Sequence, residues 1–149
     1  MASPIAQHQI VSGNLHAAIY THIRQKKLGI VLTAPMDVIF NPIDTFQPDL
    51  LFISNERLHI IDRQVHGAPD FIIEILSDAN TTKEMSYKKH VYESSDVKEY
   101  WVVNIVKQTI TQYENIEGEF FIRKVARPNE SLTALAIDGF QVQVNDILP

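Results

Sequence analysis

The 149 residues include no cysteine. That excludes disulfides, thiolate nucleophiles and zinc-thiolate sites, fits a reducing compartment, and leaves any metal to oxygen and imidazole donors. Long apolar runs are missing too. Nothing approaches the roughly 18 to 20 residues of a membrane span, and the N-terminus lacks the basic-then-apolar order of a signal peptide. The expectation is a cytoplasmic protein with no membrane partner. Positive charge is in short supply: 13 Lys and Arg against 18 Asp and Glu give a net charge of -5, whereas broad nucleic-acid binding favours basic domains. The shortage is uneven. Residues 1 to 36 carry Arg24, Lys26 and Lys27 and no acid, so a local basic surface remains open. Internal repeats and low-complexity linkers are absent, and 45% hydrophobic residues over this length match one domain, 1–149, with a sizeable core.

What is present reads as a mixed α/β (α+β) chain. From His8 to about Lys27, Val11, Leu15, Ala18, Ile19 and Ile23 recur at helical spacing, and cations followed by Gly29 mark the helix end. "GIVLTA" (29–34) and "MDVIF" (36–40) read as two short strands joined as a hairpin. Further strands are expected at "PDLLFIS" (48–54) and "PDFIIEILS" (69–77), with a loop between them that is extended at "LHII" (58–61). A helix over 81–95 follows, then strands at 99–104, 109–114 and 119–125, the last two linked as a hairpin through Asn115 to Gly118. A mixed sheet with helices packed on it results.

One residue breaks the pattern. Glu74 stands in the middle of an apolar strand in which Asp70, Ile72, Glu74 and Leu76 share one face and Phe71, Ile73 and Ile75 the other. Both faces are apolar, as in a strand covered on both sides, so Glu74 must be protonated, paired with a cation or bound to a metal. The next helix offers the cation. Met85, Val91 and Tyr92 define an inward stripe whose centre lies within roughly 20 degrees of Lys88, whereas Lys89 falls further round, toward solvent. Thr81 to Glu84 fits a capping box, with Thr81 as N-cap and Glu84 reaching back. Asp49 opens the preceding apolar run. If the two strands pair, Asp49 and Glu74 converge on one cation, and two carboxylates with water suit Mg2+ or Mn2+. Such a site activates water and stabilises charge on a phosphodiester, with a lysine orienting the nucleophile or supporting the developing charge. A purely structural reading stands beside it: a buried Glu74–Lys88 ion pair and an Asp49 that caps a turn after Pro48.

Pro48-Asp49, "APDFIIEILS", Lys88 and Tyr92, "VKEYWVV" (97–103) and "LTALAIDGFQVQVNDIL" together resemble the Uma family. These are bacterial proteins described as restriction endonucleases, within the PD-(D/E)xK nuclease superfamily. The resemblance runs from His8-Gln9 to the C-terminus and implies a restriction-endonuclease-like mixed sheet flanked by helices, a Mg2+- or Mn2+-dependent endonuclease acting on DNA, and a homodimer. It makes Asp49 and Glu74 the metal-binding acids and Lys88 the catalytic lysine. The superfamily's usual lysine position falls on Leu76, and the lysine is displaced to the helix. Auxiliary roles fall to Asp70, Glu84, His8 and Tyr92. The residues themselves read more simply: Asp70 as structural or supporting, Glu84 as a cap, His8 as a surface or capping histidine. Departures from the family pattern are the missing N-terminal strand extension, the lack of any acid before Asp37, and Ser77-Asp78-Ala79-Asn80 at the turn that is usually Ser-Pro-Ser-Thr.

Overall fold

The computed structural model describes residues 5–78 and 80–149. Helix α1 (Ala6–Lys26) comes first and buries Val11, Leu15, Ile19 and Ile23, the expected stripe. It ends at Lys27, which itself takes the left-handed conformation, with Leu28 N–H donating to Ile23 O. The glycine serves a different purpose. A Cβ on Gly29 would sit 2.2 Å from the Ile53 carbonyl oxygen, so only glycine lets the chain lie this close to the neighbouring strand.

Six strands form the main sheet, in the order β1 (Gly29–Thr33), β4 (Leu50–Ser54), β6 (Phe71–Ile75), β7 (Glu99–Asn104), β8 (Thr109–Ile116), β9 (Glu119–Ala126). Only β6 and β7 pair in parallel, linked by helix α2 (Thr82–Ser94); the other neighbours are antiparallel. This matches the expected mixed sheet and the 115–118 hairpin. The first hairpin does not form. Residues 29–33 pair with β4, whereas 38–39 become β2 (Val38–Ile39), which joins β3 (Thr45–Phe46) and β5 (Val65–His66) in a separate small sheet. The single turn residue between the proposed strands is Pro35, which cannot donate a ladder bond, and β4 offers β1 a full five-residue register. The region 55–60 is a 3-10 helix rather than an extended piece.

The sheet separates two cores. On one face, Phe71, Ile73, Ile75, Trp101 and Val103 pack against α1 and the C-terminal segment, which holds β10 (Ser131–Thr133), β11 (Gln141–Gln143) and the short helix α3 (Val144–Ile147). On the other, Leu51, Ile53, Ile72 and Tyr100 pack beneath Tyr92 of α2 and Val38 and Val65 of the small sheet. The alternation in β6 therefore falls as its sequence predicts. Glu74 lies on the α2 face.

Candidate functional site

Strands β4 and β6 pair in a register that sets Leu50 opposite Ile73. One step further along the same register, Asp49 stands opposite Glu74. Here the carboxylates take over from the ladder: Asp49 N–H donates to Glu74 Oε1 at 3.1 Å, and Ile75 N–H donates to Asp49 Oδ2 at 2.7 Å. Each acid is held by the backbone of the other's strand. One oxygen of each remains. Lys88 Nζ approaches Glu74 Oε2 at 3.2 Å, and His8 Nε2 approaches Asp49 Oδ1 at 3.3 Å.

The site is largely dry. The side chain of Glu74 is only 4% exposed, and this burial pushes its pKa up to about 7, with the Lys88 ammonium acting against the shift and the Asp49 carboxylate adding to it. Burial likewise raises the carboxyl of Asp49, opposed by the Ile75 N–H and by His8 and Lys88. Lys88 is steadied by Phe46, whose ring centroid lies 5.7 Å from Nζ. Tyr92, fully buried, has a hydroxyl with no hydrogen-bond partner among the described residues. Burial and then the charge of Glu74 raise it well above the ordinary tyrosine range.

Of the sequence candidates, Asp49, Glu74, Lys88, His8 and Tyr92 come together. The reading of His8 as a capping or surface histidine is corrected: it is mostly buried against Asp49, because α1 lies across the sheet with its first turn at the end of β4. Asp70 does not join them. Four residues from Glu74, roughly 13 Å along the strand, it accepts from Ser54 N–H at 2.7 Å and pairs with Lys98 at 3.5 Å. Glu84 is exposed at the first turn of α2, where its N–H donates to Thr81 Oγ1. Its carboxylate makes no return bond among the described residues, so the capping box is half formed. Lys89, expected in solvent, is half-buried with Nζ 4.5 Å from the Tyr113 ring centroid. Ala79 of the 77–80 turn and residues 1–4 lie outside the described residues.

The sequence reading passed over Glu99. It is fully buried on β7 and faces the α1 core. Trp101 Nε1 and Gln112 Nε2 donate to its Oε2 at 2.7 and 2.6 Å, and the N–H groups of Leu135 and Ala136 to its Oε1 at 2.9 and 2.8 Å. The signal was available, since Glu99 shares a strand face with Trp101 and Val103.

The model of the family described as Uma2, Putative restriction endonuclease, matches residues 1–145. The chain belongs to this family. Among solved structures, a crystal structure described as a putative nuclease belonging to DUF820, from Anabaena variabilis ATCC 29413, aligns with this Uma2 chain at a TM-score of 0.80. It covers 98% of this chain and 82% of the other at 14% sequence identity, which establishes a shared fold and nothing finer. No curated protein matches. No described helix is long and apolar enough to cross a membrane.

Proposed function

We propose that this Uma2 protein hydrolyses DNA phosphodiester bonds as a divalent-metal-dependent endonuclease, with Asp49 and Glu74 as the metal-binding acids and Lys88 as the catalytic lysine. The observation that carries this reading is the reciprocal lock between Asp49 and Glu74. It forces two carboxylates together at the end of two strands, at a cost that a bound cation offsets. No cluster of three or more His, Asp or Glu able to hold a metal occurs among the described residues. Two acids fit Mg2+ or Mn2+ nonetheless, because such ions keep several waters and need only one or two protein carboxylates. Bound there, the ion would supply Lewis-acid stabilisation of a phosphoryl oxygen and lower the pKa of water.

The chain's own groups do the rest. Lys88, held against Phe46, supplies a fixed positive charge for the developing charge on the phosphate. Tyr92 keeps an uncharged hydroxyl, buried beneath α2, that no described residue uses. His8 restrains Asp49 Oδ1, and its contact is the one a ligand to that oxygen would displace or share. DNA as partner, a homodimer and a cytoplasmic location go with this reading through the family.

A second reading is a nuclease-fold module that binds without cleaving. It is favoured by one observation: both remaining carboxylate oxygens are already in contact with Lys88 or His8. Thermal unfolding in EDTA, Mg2+ and Mn2+ separates the two. The nuclease reading expects millimolar metal to raise the melting temperature of the wild type and not of Glu74→Ala, with plasmid and single-stranded DNA cut only by the former. A wild type indifferent to metal leaves Glu74 as the structural partner of Lys88.

A further inference from the structure

On the same face of the sheet as Glu74, a groove of about 380 Å³ runs between the first half of α2 and strands β7 and β8. Its floor begins where the acids end. Leu76 is two residues beyond Glu74 on the same face, and Val102 is Glu74's register partner on β7. Helix α2 divides this surface, sending Lys88 to one side and Lys89 to the other.

Ser77 spends its N–H and hydroxyl on Asn80 Oδ1, and the donors that remain in the groove suit an anion. Lys89 is held at its wall by the ring of Tyr113, so its charge is oriented before any ligand arrives. Thr81 and Thr82 bring the start of a 13-residue helix to the groove, where Thr81 Oγ1 already takes the Glu84 N–H and the N–H groups of Thr82 and Lys83 have no intrahelical partner. An independent observation comes from Tyr100, which is 1% exposed, lines the groove, and has a hydroxyl bonded to no described residue. No acid is among the residues lining the groove. Tyr113 is not free to stack on a base, because Tyr100 is stacked 5.7 Å from it and Lys89 also lies against its ring. Phosphate and sugar suit the groove better than a base, with Leu76, Met85 and Val102 as apolar contacts for the sugar.

We infer that this groove is a phosphate subsite for the DNA strand, holding a phosphodiester adjacent to the one at Asp49 and Glu74, with Lys89 and Tyr100 as its donors. The inference rests on the nuclease reading for the identity of the strand, but it concerns binding and not cleavage. Fluorescence anisotropy of a labelled DNA 12-mer, as duplex and as single strand, in EDTA tests it without any catalytic step. Lys89→Gln is expected to weaken binding about tenfold and Tyr100→Phe about fivefold. Lys89→Gln should also reduce the slope of log affinity against log salt by about one. Lys107→Gln, on an exposed turn far along the chain, serves as the control and should bind as wild type. Equal affinity of Lys89→Gln and wild type overturns the subsite, as does a wild type that binds neither form of the 12-mer. Competition by inorganic phosphate at the same concentration as an unlabelled 12-mer assigns the groove to free phosphate and overturns the strand assignment. Lys89-dependent binding without cleavage by wild type in Mg2+ or Mn2+ leaves the subsite standing and removes the nuclease reading instead.

Discussion

Glu74 and Glu99 sit on neighbouring strands of one sheet, both buried, and their surroundings differ in kind. Glu99 is ringed by four neutral donors, two on each oxygen, and no cation comes near it among the described residues. Burial raises its carboxyl, with Ala136 N–H the foremost of the donors opposing the shift. Glu74 has one backbone N–H, one lysine, and a second carboxylate opposite. A buried acid whose lone pairs are filled by fixed dipoles is part of the scaffold; one set against a like charge is poised for a ligand. The position of the two donors on Oε1 of Glu99 says what scaffold it is. They come from residues 135 and 136, so this glutamate ties the C-terminal segment to the sheet.

The largest expected effect follows from that tie. Glu99→Ala removes the acceptor of two part-buried N–H groups and of the buried Trp101 and Gln112 side chains, of which Gln112 keeps its bond to Thr133 O, and should cost about 3 kcal/mol or more in urea unfolding, with or without metal. The contrast with Glu74 would break if Glu99→Ala unfolded at the wild-type midpoint, since its four bonds would then carry no net stabilisation.

A pH titration of stability sharpens the contrast next. The Glu74 carboxyl lies at about 7 in the folded chain against an ordinary value of 4.5. Between those values the folded state holds a proton that the unfolded state has released. Stability in EDTA therefore falls as pH rises from about 4.5 to 7, by at most about 1.4 kcal/mol per pH unit from this one group. Asp49 and Glu99 are raised too and add slope of the same sign. Glu74→Gln should flatten the curve without making it level, and a Glu74→Gln slope equal to that of wild type would move the proton elsewhere. On the nuclease reading, proton and cation would compete for the same carboxylate, so a stabilisation by Mg2+ should grow as pH rises through 7.

How much of this could be read from residues alone depended on how local the cause was. Strand β6 announces itself because four of its five positions are apolar and alternate between two cores, and Glu74, the fifth, stands out against them. Lys88 follows from the phase of a single helix. The partner of β1 did not follow, because a two-residue strand such as β2 carries almost no pattern and its choice of neighbours is made by the whole small sheet. Lys27, in the left-handed conformation ahead of an available glycine, was decided by the close approach of Gly29 to Ile53. The alternation of β7 puts Glu99 on the face of Trp101, but its other three donors lie 13 to 37 positions away and no periodicity within the strand reports them. Lys89 shows the same limit from the other side: its helical angle points outward, but Tyr113 of β8 comes to meet it.

His8 is the smallest of the expected effects and bears most directly on the contrast. Its side chain is 13% exposed, and Asp49, at 21%, is the more open of the two acids. A partly solvated contact of this kind contributes little to folding, so His8→Gln should change stability by less than about 1 kcal/mol. Metal binding is another matter. His8 reaches the oxygen of Asp49 that the backbone leaves free, so on the nuclease reading its removal should alter either the orientation of a metal at that oxygen or the competition for it. The two possibilities have opposite signs: tighter metal binding in His8→Gln marks a histidine that occupies the oxygen, and a loss of up to about tenfold marks one that positions it, the range found for groups that orient metal ligands. Titration of the melting temperature with Mn2+ in His8→Gln and wild type reads the difference directly. Equal midpoints would detach His8 from the acid pair and leave the end of α1 as packing, which would bring Asp49 closer in character to the scaffold acid Glu99 than to its neighbour Glu74.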